Sequence, residues 1–313
     1  MANDYLTVAD YAAEALEVEQ TDISDLKNDA PLVARLPIED TSTGTSVHKF
    51  KKYTAAPVVG FRAESDGREY DHSESTVVTV TCKILDFSWD VDVATANAHP
   101  RGREQGVATE GLRHLNAALF HLEKQLFYGT GTGGDSAGFS GFMNSTELDA
   151  LADEMVVSGG GTTATTQTSA YGLRVGTNDV KIVTPMATGI ELGETVVIQK
   201  AGATGFYPAY FTPASIFIGL QMGSVYSVGR IANLHASDSN AQLDDDKTAS
   251  LRKLFPAGRK AQLLAVNGNA LYALQQSRTA TNPTGTPAPF PETTHGMEIV
   301  ETDALLSTEA VET

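Results

Sequence analysis

The stretch LEKQLFYGTGTGGDSAGFSGFMN, residues 122–144, joins the end of a helical repeat directly to a run rich in glycine. The repeat consists of leucines spaced by three and four positions: Leu112, Leu115, Leu119, Leu122 and Leu126. This spacing predicts one long amphipathic helix over residues 102–128, roughly 35–40 Å long at ~1.5 Å per residue. Gly129 follows it directly, which is the usual position of a glycine that ends a helix.

The glycine run partly matches three functional motifs. Gly129, Gly131 and Gly134 spell G-x-G-x-x-G, but a dinucleotide site needs a strand before the glycines and a helix after them. A P-loop needs a lysine that GGDSAG lacks, and a nucleophile elbow around Ser140 needs glycine where Phe142 stands. We therefore predict a structural turn that binds no cofactor and returns the flanking phenylalanines to the core. Its glycines are Gly129, Gly131, Gly134, Gly138 and Gly141.

Composition excludes several classes of protein. The 313 residues carry a net charge of -17, so the surface lacks the basic footprint of a nucleic-acid reader. Cys82 is the single cysteine, which excludes an internal disulfide and a cysteine-based zinc site and indicates synthesis in a reducing cytoplasm. Its alternating context, TVTCKIL, predicts a small buried strand residue. No segment approaches ~20 consecutive apolar residues, and the acidic N-terminus does not resemble a signal peptide.

We find no set of residues with catalytic or metal-binding spacing. His114 and His121 lie on the predicted helix, but the sequence offers neither an H-E-x-x-H motif nor nearby carboxylate partners. The stretch LDDDKT, residues 243–248, lacks the spacing of a calcium loop and predicts a solvated acidic loop. Glu301 and Asp303 would face the same side of a strand, where an edge or a subunit contact explains them. An enzyme is not expected.

The N-terminal third divides into an arm and a hairpin. Residues 5–19 have the spacing of a short helix, and residues 20–46 predict an extended arm with little core of its own. Residues 47–93 predict paired strands that reverse at Asp66-Gly67 and project from the body. The apolar alternation changes phase at Ile84-Leu85, which predicts a bulge or a change of strand partner.

The C-terminal half predicts short strands separated by turns over residues 156–250. A strand over residues 259–267 leads into a helix for which Asn267 and Asn269 are candidate N-caps. A proline-rich crossing at 281–291 follows, and residues 296–313 predict one strand and a polar tail.

In this order, the elements resemble the major capsid proteins of tailed bacteriophages, which have the HK97-like fold. The stretch 122–144 is similar to the end of that family's long "spine" helix and its G-F-x-G-[FL]-x-N turn. Further similar stretches are LKNDAPLVARLP, SVYSVGRIANL, RKAQLLAVNGNALYALQQSRT, PTGTPAPFP and GMEIVETDALLSTEA. Together they cover most of the chain.

The resemblance implies an α+β chain with an N-terminal arm (1–46) and an extended loop with its base (47–93), whose tip is Asp66-Gly67. A peripheral domain (94–155) would contain the spine helix, and an axial domain (156–313) would return strands to it. The implied function is a coat protein that self-assembles as hexamers and pentamers into an icosahedral shell around double-stranded DNA, in the host bacterial cytoplasm. Its arm and hairpin would bury their surfaces on neighbouring copies, since ordering them alone costs ~1–2 kcal/mol per residue.

The implied partners are further copies of the chain, a portal, and a separate scaffold or decoration protein, without membrane contact or sequence-specific DNA binding. The chain starts at Met1 without a long coiled coil before the arm, so we expect a separately encoded scaffold or none. Lys49, Lys51 and Lys52 lie near the hairpin base, so we do not expect covalent cross-linking of the loop. Two alternatives stay open at this point: an encapsulin-like compartment shell, and a phage tail-tube or baseplate protein.

Overall fold

The computed structural model describes residues 26–67, 71–185, 190–202, 204–235, 238, 240–283 and 286–313. The helix predicted at residues 5–19 lies outside the described residues. The α helices of the described part are α1 (Val93–Ala98), α2 (Arg103–Tyr128), α3 (Asp245–Leu254) and α4 (Gly268–Ala280). Within this part of the chain, no helix combines the length and the apolar character needed to cross a membrane.

The strands of the described part fall into four sheets. In chain order they are β1 (Ile38–Asp40), β2 (Val47–Ala55), β3 (Glu74–Thr81), β4 (Lys83–Asp86), β5 (Trp89–Asp92), β6 (Val156–Ser158), β7 (Gln167–Leu173), β8 (Val180–Thr184), β9 (Glu191–Leu192), β10 (Val196–Gly202), β11 (Gly205–Thr212), β12 (Ala214–Met222), β13 (Val228–His235), β14 (Leu263–Val266), β15 (Thr293–Thr294) and β16 (Met297–Glu301). The largest sheet has the order β15-β16-β14-β7-β13-β6. A second runs β1-β8-β12-β4 with β9 paired to β12, a third runs β10-β11-β5, and β2 pairs with β3 alone.

The six-stranded sheet carries the main core. Strands β7 and β14 are buried along their whole lengths, as expected for strands covered on both faces. On one face, Leu251 of α3 approaches Gly172 and Gly229, where a Cβ atom would come within 3.0 and 2.9 Å of its methyl carbons. On the other face, the ring of Tyr171 lies 5.3 Å from that of Phe127 at the end of α2. The sheet therefore holds the C-terminal end of the long helix in place.

The predicted apolar stripe of α2 is covered over only part of its length. Leu122 and Leu126 are buried, but Leu112 is 62% exposed and Leu119 is 37% exposed. The apolar stripe is therefore only partly buried: further toward the N-terminus, Val107 and Ala118 are buried in a second cluster that includes Trp89. Near the N-terminal half, the ring of Trp89 lies close against Gly111, where a Cβ atom would come within 2.6 Å of it.

The change of phase predicted near Ile84 is a change of strand partner. Strand β3 pairs with β2, β4 pairs with β12, and β5 pairs with β11. The break lies at Cys82, between β3 and β4, two residues earlier than the sequence pattern suggested. Its thiol is buried. The three strands pair with three different partners. A single alternation of apolar and polar residues therefore cannot describe all of them.

The prediction that the arm lacks a core within its own chain is wrong for residues 26–46. Leu32, Val33 and Leu36 are buried in the main core, and β1 pairs in parallel with β8. The partners lie about 90 or more positions further along the chain. A search for nearby partners in the sequence could not find them.

The acidic stretch 243–248 is the start of a helix rather than a solvated loop. Asp244 is the N-cap of α3 and accepts a hydrogen bond from the backbone N–H of Lys247. Asp245 follows in the first turn and forms an ion pair with Arg278 of α4, N–O 2.7 Å. Carboxylates are favourable at this end of a helix because they accept from free N–H groups and interact with the helix dipole. The run of aspartates is therefore a signal for the start of a helix. Comparison of this stretch with a calcium loop alone does not reveal it.

Candidate functional site: the glycine turn, the buried carboxylates and the projecting hairpin

The glycine turn is closed by one asparagine. Gly129 ends α2 with φ +53° and ψ -127°. This backbone conformation is strongly unfavourable for any residue that has a Cβ atom. Its N–H donates to the carbonyl of Gln125 at 2.9 Å. Asn144 Oδ1 then accepts from the N–H groups of Thr130 at 2.7 Å and Gly141 at 3.3 Å. The asparagine of the G-F-x-G-F-x-N pattern thus joins the two ends of the turn.

The backbone N–H groups of the turn are used within the turn. Those of Gly131, Gly134 and Gly138 each donate to the backbone carbonyl three residues earlier, at 3.0–3.1 Å. The side chain of Gln125 fills the centre, since its Nε2 donates to the carbonyl of Phe139 at 2.7 Å and its Oε1 accepts from the N–H of Asp135 at 2.7 Å. A phosphate-binding loop needs such donors to point at the ligand. The geometry instead favours a structural turn.

Close packing explains the remaining glycines. A Cβ atom on Gly134 would overlap the carbonyl of Gly129, and one on Gly138 would overlap the side chain of Gln125. Phe142, at the end of the turn, is fully buried, and its ring lies 5.8 Å from Tyr171. Phe139 is also buried. Both phenylalanines therefore reach the core.

A cluster of buried polar side chains ties the C-terminal segment to the end of α2. We call it the Glu309 cluster; its members are Tyr128, Ser169, Arg230, Glu309 and Glu312. The hydroxyl of Tyr128 donates to Glu309 at 2.6 Å and accepts from the N–H of Leu306 at 2.7 Å. Ser169 donates to the second oxygen of Glu309 at 2.5 Å. Arg230 lies 3.6 Å from Glu309 and 3.0 Å from Glu312.

Burial dominates the electrostatics of this cluster. It raises the pKa of Glu309 above the usual carboxyl range, although the hydrogen bonds from Ser169 and Tyr128 and the charge of Arg230 oppose it. Burial also raises the pKa of Tyr128, and the neighbouring Glu309 charge adds to that effect. Such a network stabilises the fold only while every member keeps its partner. The predicted polar tail is therefore wrong: Ala304, Leu305 and Glu309 are buried.

A second buried carboxylate holds the arm. Glu123, on α2, has no exposed surface, and its Oε2 accepts from the backbone N–H groups of Leu32 at 2.9 Å and Val33 at 3.1 Å. Its Oε1 accepts from the hydroxyl of Thr302, just after β16. Burial raises the pKa of Glu123, against the effect of these bonds. One side chain therefore joins the arm, the long helix and the C-terminal segment.

The two histidines of α2 do have carboxylate neighbours, contrary to the sequence expectation. His114 Nε2 lies 3.3 Å from Glu110, one turn earlier, and His121 Nε2 lies 3.7 Å from Asp135 in the glycine turn. Each is a single pair. Over the described ranges of the chain, no group of three or more histidine, cysteine, aspartate or glutamate side chains is placed to hold a metal ion.

The projecting hairpin consists of β2, β3 and the loop 56–73. Pairing stops at Ala55 and Glu74, so Asp66-Gly67 lies inside a long loop rather than directly between the paired residues. The N–H of Gly67 donates to the Asp66 carboxylate at 2.8 Å. The described residues of the loop are all exposed, and Phe61 is 108% exposed. The role of Asp66-Gly67 as the loop tip stays a prediction.

Polar contacts, among them the two that follow, join the hairpin to the rest of the chain. His48 Nε2 lies 2.6 Å from Gln221 Oε1 on β12, and Lys52 Nζ lies 3.0 Å from Glu147. Burial alone would raise the pKa of Glu147, but the hydrogen bonds from Ser145 and Lys52, together with the charge of Lys52, outweigh it and lower this pKa. The hairpin otherwise buries little of its own surface.

Comparison with known families decides what this arrangement belongs to. The model of the family "Major capsid protein GP7" matches residues 21–312, almost the whole chain. The chain belongs to this family of major capsid proteins. No curated protein sequence matches the chain.

Solved structures of phage capsids contain chains with the same fold as this one. A chain of the near-atomic structure of bacteriophage Epsilon15 aligns with a TM-score of 0.67 at 18% identity, covering 100% of this chain and 98% of that one. The capsid of bacteriophage JBD30 gives 0.54 at 12% identity, covering 94% and 97%. The capsid of cyanophage A-1(L) gives 0.50 at 9% identity, covering 70% and 97%. The predicted α+β, HK97-like fold and the resemblance to phage capsid proteins are therefore confirmed.

The family match also separates the alternatives. A match to a viral major capsid family over nearly the full chain favours a virion shell over an encapsulin-like compartment or a tail protein.

The glycine turn was visible in the sequence because its motif is local. The Glu309 cluster and Glu123 were not, because their partners lie about 90 to 180 residues away.

Proposed function

We propose that this capsid protein assembles as hexamers and pentamers into an icosahedral shell that encloses double-stranded DNA. The observation that carries the proposal is the projecting hairpin, whose loop exposes Phe61 and Val59 at 108% and 81%. Large apolar side chains grouped on an exposed loop mark an interaction site. In a member of a major capsid family, the partner that is always present is another copy of the same chain.

Repeated copies of one contact are sufficient for such a shell. A projecting element that binds a different surface of the next copy makes a heterologous contact, and heterologous contacts close into rings when the rotation allows it. A further apolar residue is available for other contacts, since Phe206 on β11 is 77% exposed. These surfaces would be costly to leave in water on a free monomer.

The charge of the chain supports a container rather than a DNA reader. A net charge of -17 disfavours binding to phosphates, which requires clustered lysine and arginine. We infer that DNA is enclosed without sequence-specific contacts. The other partners that we propose are a portal and a separate scaffold or decoration protein, with assembly in the host bacterial cytoplasm and no catalytic activity.

Within the subunit, we propose the following division of roles. Residues 1–46 form the arm, 47–93 the extended loop and its base, 94–155 the peripheral domain and 156–313 the axial domain. The pairing of β5 with β11 and of β1 with β8 supports the return of later strands to earlier parts of the chain. The five glycines of the turn act in folding rather than in ligand binding.

The test compares the full chain with a variant in which the hairpin loop is shortened. Residues 57–72 are replaced by Gly-Gly, and a second variant carries the exposed substitution Gly258→Ala as a matched control, because a Cβ atom there contacts nothing. Sedimentation velocity should show large shells for the wild type and the control, but folded monomers for the shortened chain. Full assembly of the shortened chain would contradict the proposed role of the hairpin.

A further inference from the structure

A cavity lies between the hairpin and the body, and the side chains of the described residues leave it unfilled. It has a volume of about 240 Å³. Its apolar walls come from the hairpin on one side and from the body on the other: Val78, Leu148, Met222, Val225 and Val228. Lys52 and Glu147, the ion pair described above, also line it.

The cavity has the size and the chemistry for an aromatic ring. A protein cavity of roughly 150 Å³ lined by aliphatic side chains accommodates benzene, so the volume here is sufficient for a phenyl group with its first carbon. Met222 contributes a flexible thioether, which contacts aromatic rings favourably and adapts its shape to them. The ion pair would orient the entering group without placing an unpaired charge inside.

The hairpin loop carries an exposed aromatic ring, that of Phe61. Phe61 lies beyond the last paired residues of the hairpin, Ala55 and Glu74, and it is fully exposed. It therefore does not occupy the cavity of its own subunit. A ring on one surface and a matching cavity on another surface of the same molecule form a heterologous contact, which passes from copy to copy.

We propose that Phe61 of one subunit inserts into the cavity at the hairpin base of the next subunit. This inference rests on the proposed function and identifies where the hairpin loop binds on the next subunit. The contact places the loop of one copy beside the Lys52–Glu147 pair of its neighbour. In the shell, another copy completes the space between the hairpin base and the body.

Chemical cross-linking tests the proposed contact directly. The full chain carries Phe61→Cys together with Val225→Cys, and assembled shells are treated with an ethylene-bridged bis-maleimide, to which each thiol adds. The native thiol of Cys82 is buried, so it does not compete. We expect a ladder of covalently linked subunits in denaturing gels for the double variant and single subunits for either single variant. A control pair, Phe61→Cys with Leu112→Cys, places the second thiol on the exposed face of α2 and should give no ladder.

A thermodynamic cycle tests the same contact without a cross-linker. Phe61→Ala should raise the subunit concentration needed for assembly by about tenfold or more, given the apolar area that a phenyl ring buries, whereas Glu64→Ala at an exposed polar position of the same loop should change it less than about twofold. Val225→Phe fills the cavity from within the subunit, so adding Phe61→Ala to it should have little further effect.

The outcomes separate this inference from the proposed function. If wild-type shells form but the Phe61–Val225 pair does not cross-link, or the Phe61–Leu112 pair does, the proposed contact is wrong. Equal, additive effects of Phe61→Ala and Val225→Phe would also refute it. If the wild-type chain forms no shells, the proposed function itself fails.

Discussion

Replacement of Gly129 by alanine should destabilise the subunit severely. The backbone there has φ +53° and ψ -127°, and holding a residue with a side chain in such a region costs about 1–3 kcal/mol. A Cβ atom would also overlap Asn144 Oδ1 and the N–H of Gly141. Asn144 must then move, which removes its hydrogen bonds to Thr130 and Gly141, worth about 0.5–1.5 kcal/mol each.

Together these effects amount to about 2–6 kcal/mol, against a total stability of about 5–15 kcal/mol for a typical domain. The chain contains one tryptophan, and Trp89 is buried, so its fluorescence reports unfolding of dissociated subunits in urea. We expect Gly129→Ala to lower the urea midpoint by about 1–2 M with an unchanged slope. The control Gly258→Ala should leave the midpoint unchanged. A Gly129→Ala midpoint within about 0.2 M of the control would refute the argument for the turn.

Three further predictions concern buried groups. Burial raises the pKa of Glu123, so the free energy of unfolding should fall as pH rises from the usual carboxyl range through that raised value. Glu123→Gln keeps an acceptor for the arm without the charge, so it should make the free energy of unfolding less dependent on pH in urea titrations from pH 4 to 8. An unchanged pH dependence would contradict the role of Glu123. Arg230→Met leaves Glu309 and Glu312 without their cation and should cost about 3–5 kcal/mol; a thermal midpoint equal to wild type would be inconsistent with the Glu309 cluster as described. Because burial raises the pKa of Cys82, a chromogenic disulfide reagent should label the folded subunit far more slowly than the unfolded chain, and equal rates would show that the thiol is accessible.

Local patterns predicted a large part of the fold. The long helix was expected at 102–128 and spans Arg103–Tyr128, because leucine spacing and a terminal glycine are features of neighbouring residues. The helix after β14 begins at Asn267, whose side chain accepts from the N–H of Ala270, so of the two candidates Asn267, and not Asn269, is the N-cap. These signals depend only on residues a few positions apart.

The parts that could not be predicted depend on distant contacts. Leu32 is hydrogen-bonded to Glu123, and Glu309 of the C-terminal segment is hydrogen-bonded to Tyr128. Neither pairing leaves a mark in the local sequence, since a glutamate near a chain end looks the same whether it is solvated or buried. The half-exposed stripe of α2 shows the converse: Leu112 has the spacing of a core residue, but the body of the subunit does not reach it.

The most direct test of the central claim is a cryo-electron microscopy reconstruction of the expressed full-length protein. The account predicts closed icosahedral shells built from hexamers and pentamers, in which the hairpin loop of each subunit contacts its neighbour. Homogeneous monomers, or helical tubes without five-fold vertices, would contradict it.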